Sequence, residues 1–249
     1  MPYRRLPNTD TKRLRAMSIA LEKADDLPVF KLPFSIKTGQ LLKNQYLNFE
    51  QKIQLQREAL KQQVNKQKEF LYLYKKAKMY VSHFIQVMNM AVIRGELNAT
   101  IYKFYGLGTS IKVPVFKNEE ELVFIGQKLI EGEKDRINQG GKMITNPTIA
   151  VVKVYFEKFI EARRFQKKLQ ENYQRATNQV AEMRSDVDKL IQKLWNEIEN
   201  NFSDLSENEK RERSREFGVE YVFRKNEKNK LINENIDSDN NDIQYTLSF

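Results

Sequence analysis

PTIAVVKVYFEKFIEARRFQKKLQENYQRATNQVAEMRSDVDKLIQKLWNEIEN, residues 147–200, contains no glycine, and no proline after its first residue. Apolar side chains recur in it by steps of three and four: Val152, Tyr155, Phe159, Ala162, then Leu169, Tyr173, Ala176, Val180, Met183, Val187, Leu190 and Leu194. Only Gln166 interrupts the series with a polar side chain. That spacing draws one stripe along a helix and matches a coiled-coil seam. Asn146 reads as an N-cap, followed by Pro147 at the first helical position, where proline is best tolerated. The expectation is one continuous helix of about 54 residues, on the order of 80 Å long.

Residues 39–94 carry a weaker version of the pattern. Leu42, Tyr46, Phe49, Ile53, Leu60, Phe70, Tyr74, Ala77, Val81, Phe84, Met88 and Ala91 fall in register, with Gln56, Gln63 and Gln67 on the same seam. Polar seam residues cost stability but fix register. The flank Val64, Leu71, Ile85, Val92 is also apolar, which predicts more than one neighbour for this helix. Two helices of similar length joined by roughly 50 residues fold back most simply as an antiparallel pair. A parallel dimer of two chains would use the same seam, so a homodimer stays open.

Residues 81–93 and 149–160 are apolar nearly all round, more than a two-helix stem buries. The intervening segment is therefore expected to cover them as a small head. It supplies Ile101, Tyr102, Phe104 and Tyr105, a glycine loop at 106–110, an extended piece at 113–116, and a helix capped by Asn118 with Glu121 three residues on. That helix presents Leu122, Ile125, Leu129 and Ile130 and stops before Gly140-Gly141. At the other end, Leu14, Met17, Leu21 and Ala24 mark a helix over residues 10–23. The linker at 27–34 follows, whose prolines forbid helix. Ser206 and Glu209 form a capping box, Gly218 ends the helix they open, and Val219, Tyr221 and Phe223 alternate like a short strand.

The fold class read from this is all-α: a long antiparallel helical hairpin with a coiled-coil-like stem, a small helical head, and a helical cluster where the termini meet. Its segments are a basic helix and Pro-containing linker (1–34), the first stem helix (35–94), the head (95–146), the second stem helix (147–201), a C-terminal helix with a short extended piece (202–223), and an Asn-, Asp- and Lys-rich tail (224–249) read as disordered.

Composition narrows the function. Nine Gly and six Pro in 249 residues are too few for a turn-rich β-barrel, and the absence of cysteine removes disulfides, thiolate metal sites and cysteine nucleophiles. A single histidine, His83, removes any site that needs two; with no second histidine or cysteine near it, it reads as structural. No apolar run approaches a membrane span and no signal-peptide core follows the basic N-terminus, so the expectation is a soluble, cytoplasmic protein without membrane contact. The Gly-Lys pair at 141–142 lacks the first glycine and the hydroxyl of a phosphate loop, and Gly106-Leu107-Gly108 has no βαβ context, so both read as turns. Glu119, Glu120 and Glu121 sit at a helix start, where the macrodipole alone accounts for them. No catalytic residue, metal site or cofactor is expected.

Charge is the strongest surface feature. The formal net charge is +10, and up to Arg94 basic residues outnumber acidic ones by roughly eighteen to seven. Arg4, Arg5, Lys12, Arg13 and Arg15 cluster near the N-terminus as a candidate anionic-partner site. In the tail, Ile243, Tyr245, Leu247 and Phe249 alternate like a docking strand. The favoured expectation is a non-enzymatic scaffold or adaptor for protein partners. The alternative is a protein associated with nucleic acid or a ribonucleoprotein, binding through its basic N-terminal third. An enzyme would have to gather Tyr102, Tyr105, His83 and Lys142 in the head.

Overall fold

The computed structural model describes residues 3–106, 113 and 115–223. Among these the fold is all-α apart from one two-stranded ribbon: β1 (Tyr3–Arg4), α1 (Asp10–Asp26), α2 (Ile36–Ile93), α3 (Tyr102–Tyr105), α4 (Glu119–Asn138), α5 (Ile149–Asn201), α6 (Glu207–Glu216) and β2 (Tyr221–Val222). The two long helices pair antiparallel, the simpler of the arrangements the seams allow. The chain forms two compact units, Met1–Gln56 with Ala176–Phe249, and Arg57–Arg175.

In the first unit, residue numbers rise on α2 as they fall on α5. The Thr38 hydroxyl donates to Glu197 Oε1 (2.8 Å), Lys52 Nζ to Gln179 Oε1 (3.1 Å), and Gln56 Nε2 to Thr177 Oγ1 (3.1 Å). Leu42, Phe49 and Ile53 of α2 share a core with Val180, Val187, Ile191, Leu194, Trp195 and Ile198 of α5. Ile191, Trp195 and Ile198 form a second apolar stripe on α5, which the seam series does not contain. They share that core with Ala16, Met17 and Ala20 of α1 and with Phe217 and Val219 after α6. β1 pairs antiparallel with β2, placing Tyr3 opposite Val222 and Arg4 opposite Tyr221. The sequence read the second strand and missed the first, because Tyr3–Arg4 is too short to show alternation.

In the second unit, Phe70 and Tyr74 of α2 meet Phe159 of α5 with tilted rings, and Tyr80 lies nearly parallel to Tyr155 with ring centres 4.3 Å apart. Lower down, Gln166 Nε2 donates to Gln67 Oε1 (2.6 Å), so polar seam residues of the two helices meet. The apolar ends of the hairpin are covered as expected: Val81, Phe84, Ile85, Met88, Val152 and Phe156 join Ile101, Tyr102, Tyr105, Phe116, Leu122, Leu129 and Ile144 in one core. The flank expected to find a second neighbour divides. Ile85 is buried and Val92 packs on the head, whereas Val64 and Leu71 are exposed.

Three local readings are corrected. α5 begins at Ile149, not Pro147: Asn146 adopts a left-handed φ of 58°, which is not helical, and the Asn146–Pro147 peptide is cis. The Thr148 carbonyl takes the first helical N–H bonds, from Val151 and Val152. Between the prolines of the first linker, Val29–Lys31 forms a 3-10 turn. Glu121 bonds the Lys117 N–H (2.8 Å) instead of that of Asn118, while Asn118 caps α4 through the Glu121 N–H. The glycine loop beyond Gly106 and the tail strand Ile243, Tyr245, Leu247 and Phe249 lie outside the described residues.

Candidate functional site

The N-terminal cations do not share one surface. Arg13 lies on the face of α1 that meets α5, where its guanidinium forks onto Asp188 (2.8 Å at both oxygens). One turn earlier, Asp10 receives a matching fork from Arg184 at 2.9 and 2.7 Å. The Arg184 hydrogen bonds hold the Asp10 carboxyl below its ordinary value against the opposing effect of burial. Two bidentate pairs in series fix the register of α1 along α5. Arg4 is likewise engaged, with Asn196 (2.7 Å) and Glu199 (2.9 Å). Glu199 also accepts from the Tyr221 hydroxyl at 2.6 Å, so one carboxylate pins both residues of a cross-strand pair. Burial and this hydrogen bond push Tyr221 up to about 12. Arg5 and Arg15 are exposed, and Lys12 makes only a long contact with Glu220 (3.4 Å). Lys12 and Arg15 rim a small cleft of about 200 Å³ beside Ile19 and Trp195.

The head holds a buried polar cluster that the sequence reading did not find. Glu133 and Arg136, one turn apart on α4, are both buried, with Tyr105 between them. The Tyr105 hydroxyl donates to Glu133 Oε2, Arg136 Nε donates to the same oxygen (2.7 Å), and Arg136 Nη2 donates to Glu133 Oε1 (2.8 Å) and the Lys142 carbonyl. The Ile144 N–H completes Glu133 at 3.3 Å. Burial, then the hydrogen bond to Glu133, drives the Tyr105 phenol well above its ordinary value. The cluster joins α3, α4 and the strand of chain entering α5; every partner is intramolecular. The sequence signal was an i, i+3 Glu–Arg pair continuing the Leu122–Leu129 face, with Gly126 and Gly132 on that face.

The four residues named for an enzymatic reading do not line one cleft. Tyr102 is buried with its hydroxyl lacking a partner among the described residues, His83 is exposed on α2, and the Lys142 side chain is exposed. A cleft of about 320 Å³ beside Arg136 includes Lys142 but not His83, Tyr102 or Tyr105. Among the described residues no group of three or more His, Asp or Glu is placed to hold a metal ion, and no helix is long and apolar enough to cross a membrane.

A further concavity lies in the second unit, on one flank of the hairpin. It is an open groove of about 690 Å³ with Phe70, Leu73, Ala162 and Phe165 as its apolar lining. Lys66, Lys158, Arg164 and Lys168 rim it, against Glu69 and Glu161. Phe165, on α5, is 49% exposed and lines this groove. Compared with family models, with curated proteins and with solved structures, the chain matches none.

Proposed function

We propose that the protein is a non-catalytic interaction module, a helical scaffold or adaptor for protein partners. One observation carries this reading: the second unit presents an open, apolar-lined groove of about 690 Å³ on paired helices, lined by no His, Ser or Cys and by no buried charged side chain. An exposed Phe165 beside Leu73 is the kind of aromatic anchor that protein interfaces bury. The nucleic-acid alternative draws on the same net charge. Against it, Arg4 and Arg13 spend their charge on carboxylates of α5, leaving Arg5, Lys12 and Arg15 of the original cluster.

The test replaces Phe165 with a photo-crosslinking phenylalanine analogue in the full chain, with exposed Lys134 on α4 as control position, and irradiates native lysate with and without nuclease. Protein adducts formed from position 165, not from 134, and surviving nuclease are the expected result. Adducts that vanish with nuclease favour the nucleic-acid reading. No excess of adducts at 165 over 134 removes the groove as an interaction surface.

A further inference from the structure

We infer that the groove between α2 and α5 of the second unit receives an amphipathic helix with acidic margins, an inference that rests on the interaction function proposed above. The groove is bounded by two antiparallel helices, so a third rod laid along it packs as a helix packs in a bundle. Phe70, Leu73, Ala162 and Phe165 offer an apolar strip to side chains repeating at i, i+3, i+4 and i+7. Ala162 faces the groove with a single methyl group, leaving room for a larger side chain from the partner.

The rim supplies the sign of the partner. Lys66 is neutralised by Glu69 at 3.0 Å. Arg164 and Lys168 form no ion pair among the described residues, and Lys158 has only the face of Tyr155, 5.8 Å from its ring centre. Three uncommitted cations against Glu161 leave a positive margin beside an apolar strip. Carboxylates flanking the apolar stripe of an incoming helix would meet them; lysines there would be repelled. A phosphate backbone fits less well, because it would leave Phe165 and Leu73 uncovered and would face Glu69 and Glu161.

The test uses the full chain and a displayed library of helices about eighteen residues long, with leucines fixed at i, i+3, i+4 and i+7 and the flanking positions varied among Glu, Gln and Lys. Selection is expected to enrich Glu-flanked members. Their binding should weaken at least tenfold in the Arg164→Glu, Lys168→Glu double variant and, separately, in Phe165→Ser, with helicity unchanged. Enrichment of Gln or Lys flanks, no enrichment, or binding indifferent to these substitutions overturns the acidic-helix assignment. If position 165 still yields nuclease-resistant adducts in that case, the interaction function survives and only the partner class falls. If it yields none, both fall.

Discussion

At the scale of single residues, the firmest commitments are made by charges placed inside. Removing one member of a buried, hydrogen-bonded ion pair leaves the other uncompensated, at a cost of roughly 3–5 kcal/mol. Glu133→Ala, which strands Arg136 and frees the Ile144 N–H, is expected to destabilise the second unit on that scale in urea unfolding followed by circular dichroism. Tyr105→Phe removes a hydrogen bond to a carboxylate and should cost about 1.5–3 kcal/mol. The two phenols also set an alkaline limit. Their folded values are raised, so their contribution is intact below the ordinary tyrosine value of 10.0 and is lost as pH climbs through the folded value, about 12 for Tyr221. Stability should therefore fall as pH rises from about 10, and fall less steeply in a Tyr105→Phe, Tyr221→Phe double variant; equal slopes would contradict the assignment. These residues also mark where sequence reading stops. Arg13 looked like surface charge because its partner, Asp188, is 175 positions away. Glu133 and Arg136 are spaced i, i+3 like many exposed pairs, and nothing local marks them as buried, since burial of a charge is decided by what packs over it.

At the scale of elements, periodicity carried the long helices and local chemistry carried the caps of the shorter ones, while it misplaced the start of α5. Ser206 with Glu209, Asn118 and the α1 face were legible because each signal lies within one or two turns. The second stripe on α5 was obscured by the stronger seam beside it, and β1 by its length. The groove was not legible at all: Phe165 and Leu73 acquire meaning only once α2 and α5 are in register. Two substitutions probe how elements dock. A methyl group at Gly126 would collide with the buried ring of Phe156, and one at Gly132 with the Phe104 carbonyl. Gly126→Ala should therefore destabilise by about 1–3 kcal/mol, despite the better helix propensity of alanine. The polar seam predicts the opposite sign. Gln166 Oε1 is buried without a hydrogen-bond partner, and its amide is held only by Gln67 and the Gln63 carbonyl. Gln166→Leu should raise the unfolding midpoint by an amount corresponding to roughly 1 kcal/mol, because removing an unsatisfied buried polar atom outweighs one lost hydrogen bond. A lower midpoint would mean the amide is needed for pairing as well as for register.

At the scale of the molecule, α2 and α5 run continuously through two units, each with a core built from a different set of additional elements. In Met1–Gln56 with Ala176–Phe249 the additions are α1, α6 and the β ribbon; in Arg57–Arg175 they are α3 and α4. Between the two sets of core residues on α2, from Ile53 to Phe70, none is buried and apolar, while Gln56, Gln63 and Gln67 occupy the seam. A stretch of α2 without a buried apolar side chain is expected to transmit less cooperativity than the cores on either side of it. The two cores should then unfold separately when one is selectively weakened. Trp195, the only tryptophan, is buried in the first core and reports on it alone, whereas far-ultraviolet circular dichroism sums both. In Glu133→Ala, the dichroism transition is expected to split, with an early phase from the second unit, while the Trp195 fluorescence midpoint stays within error of the parent chain. When Trp195→Phe, which replaces the larger ring in the first core, is added to Glu133→Ala, the late phase should move and the early one stay. If fluorescence and dichroism shift together in Glu133→Ala, the long helices couple the cores, and the glutamine seam is a register device inside a single cooperative unit.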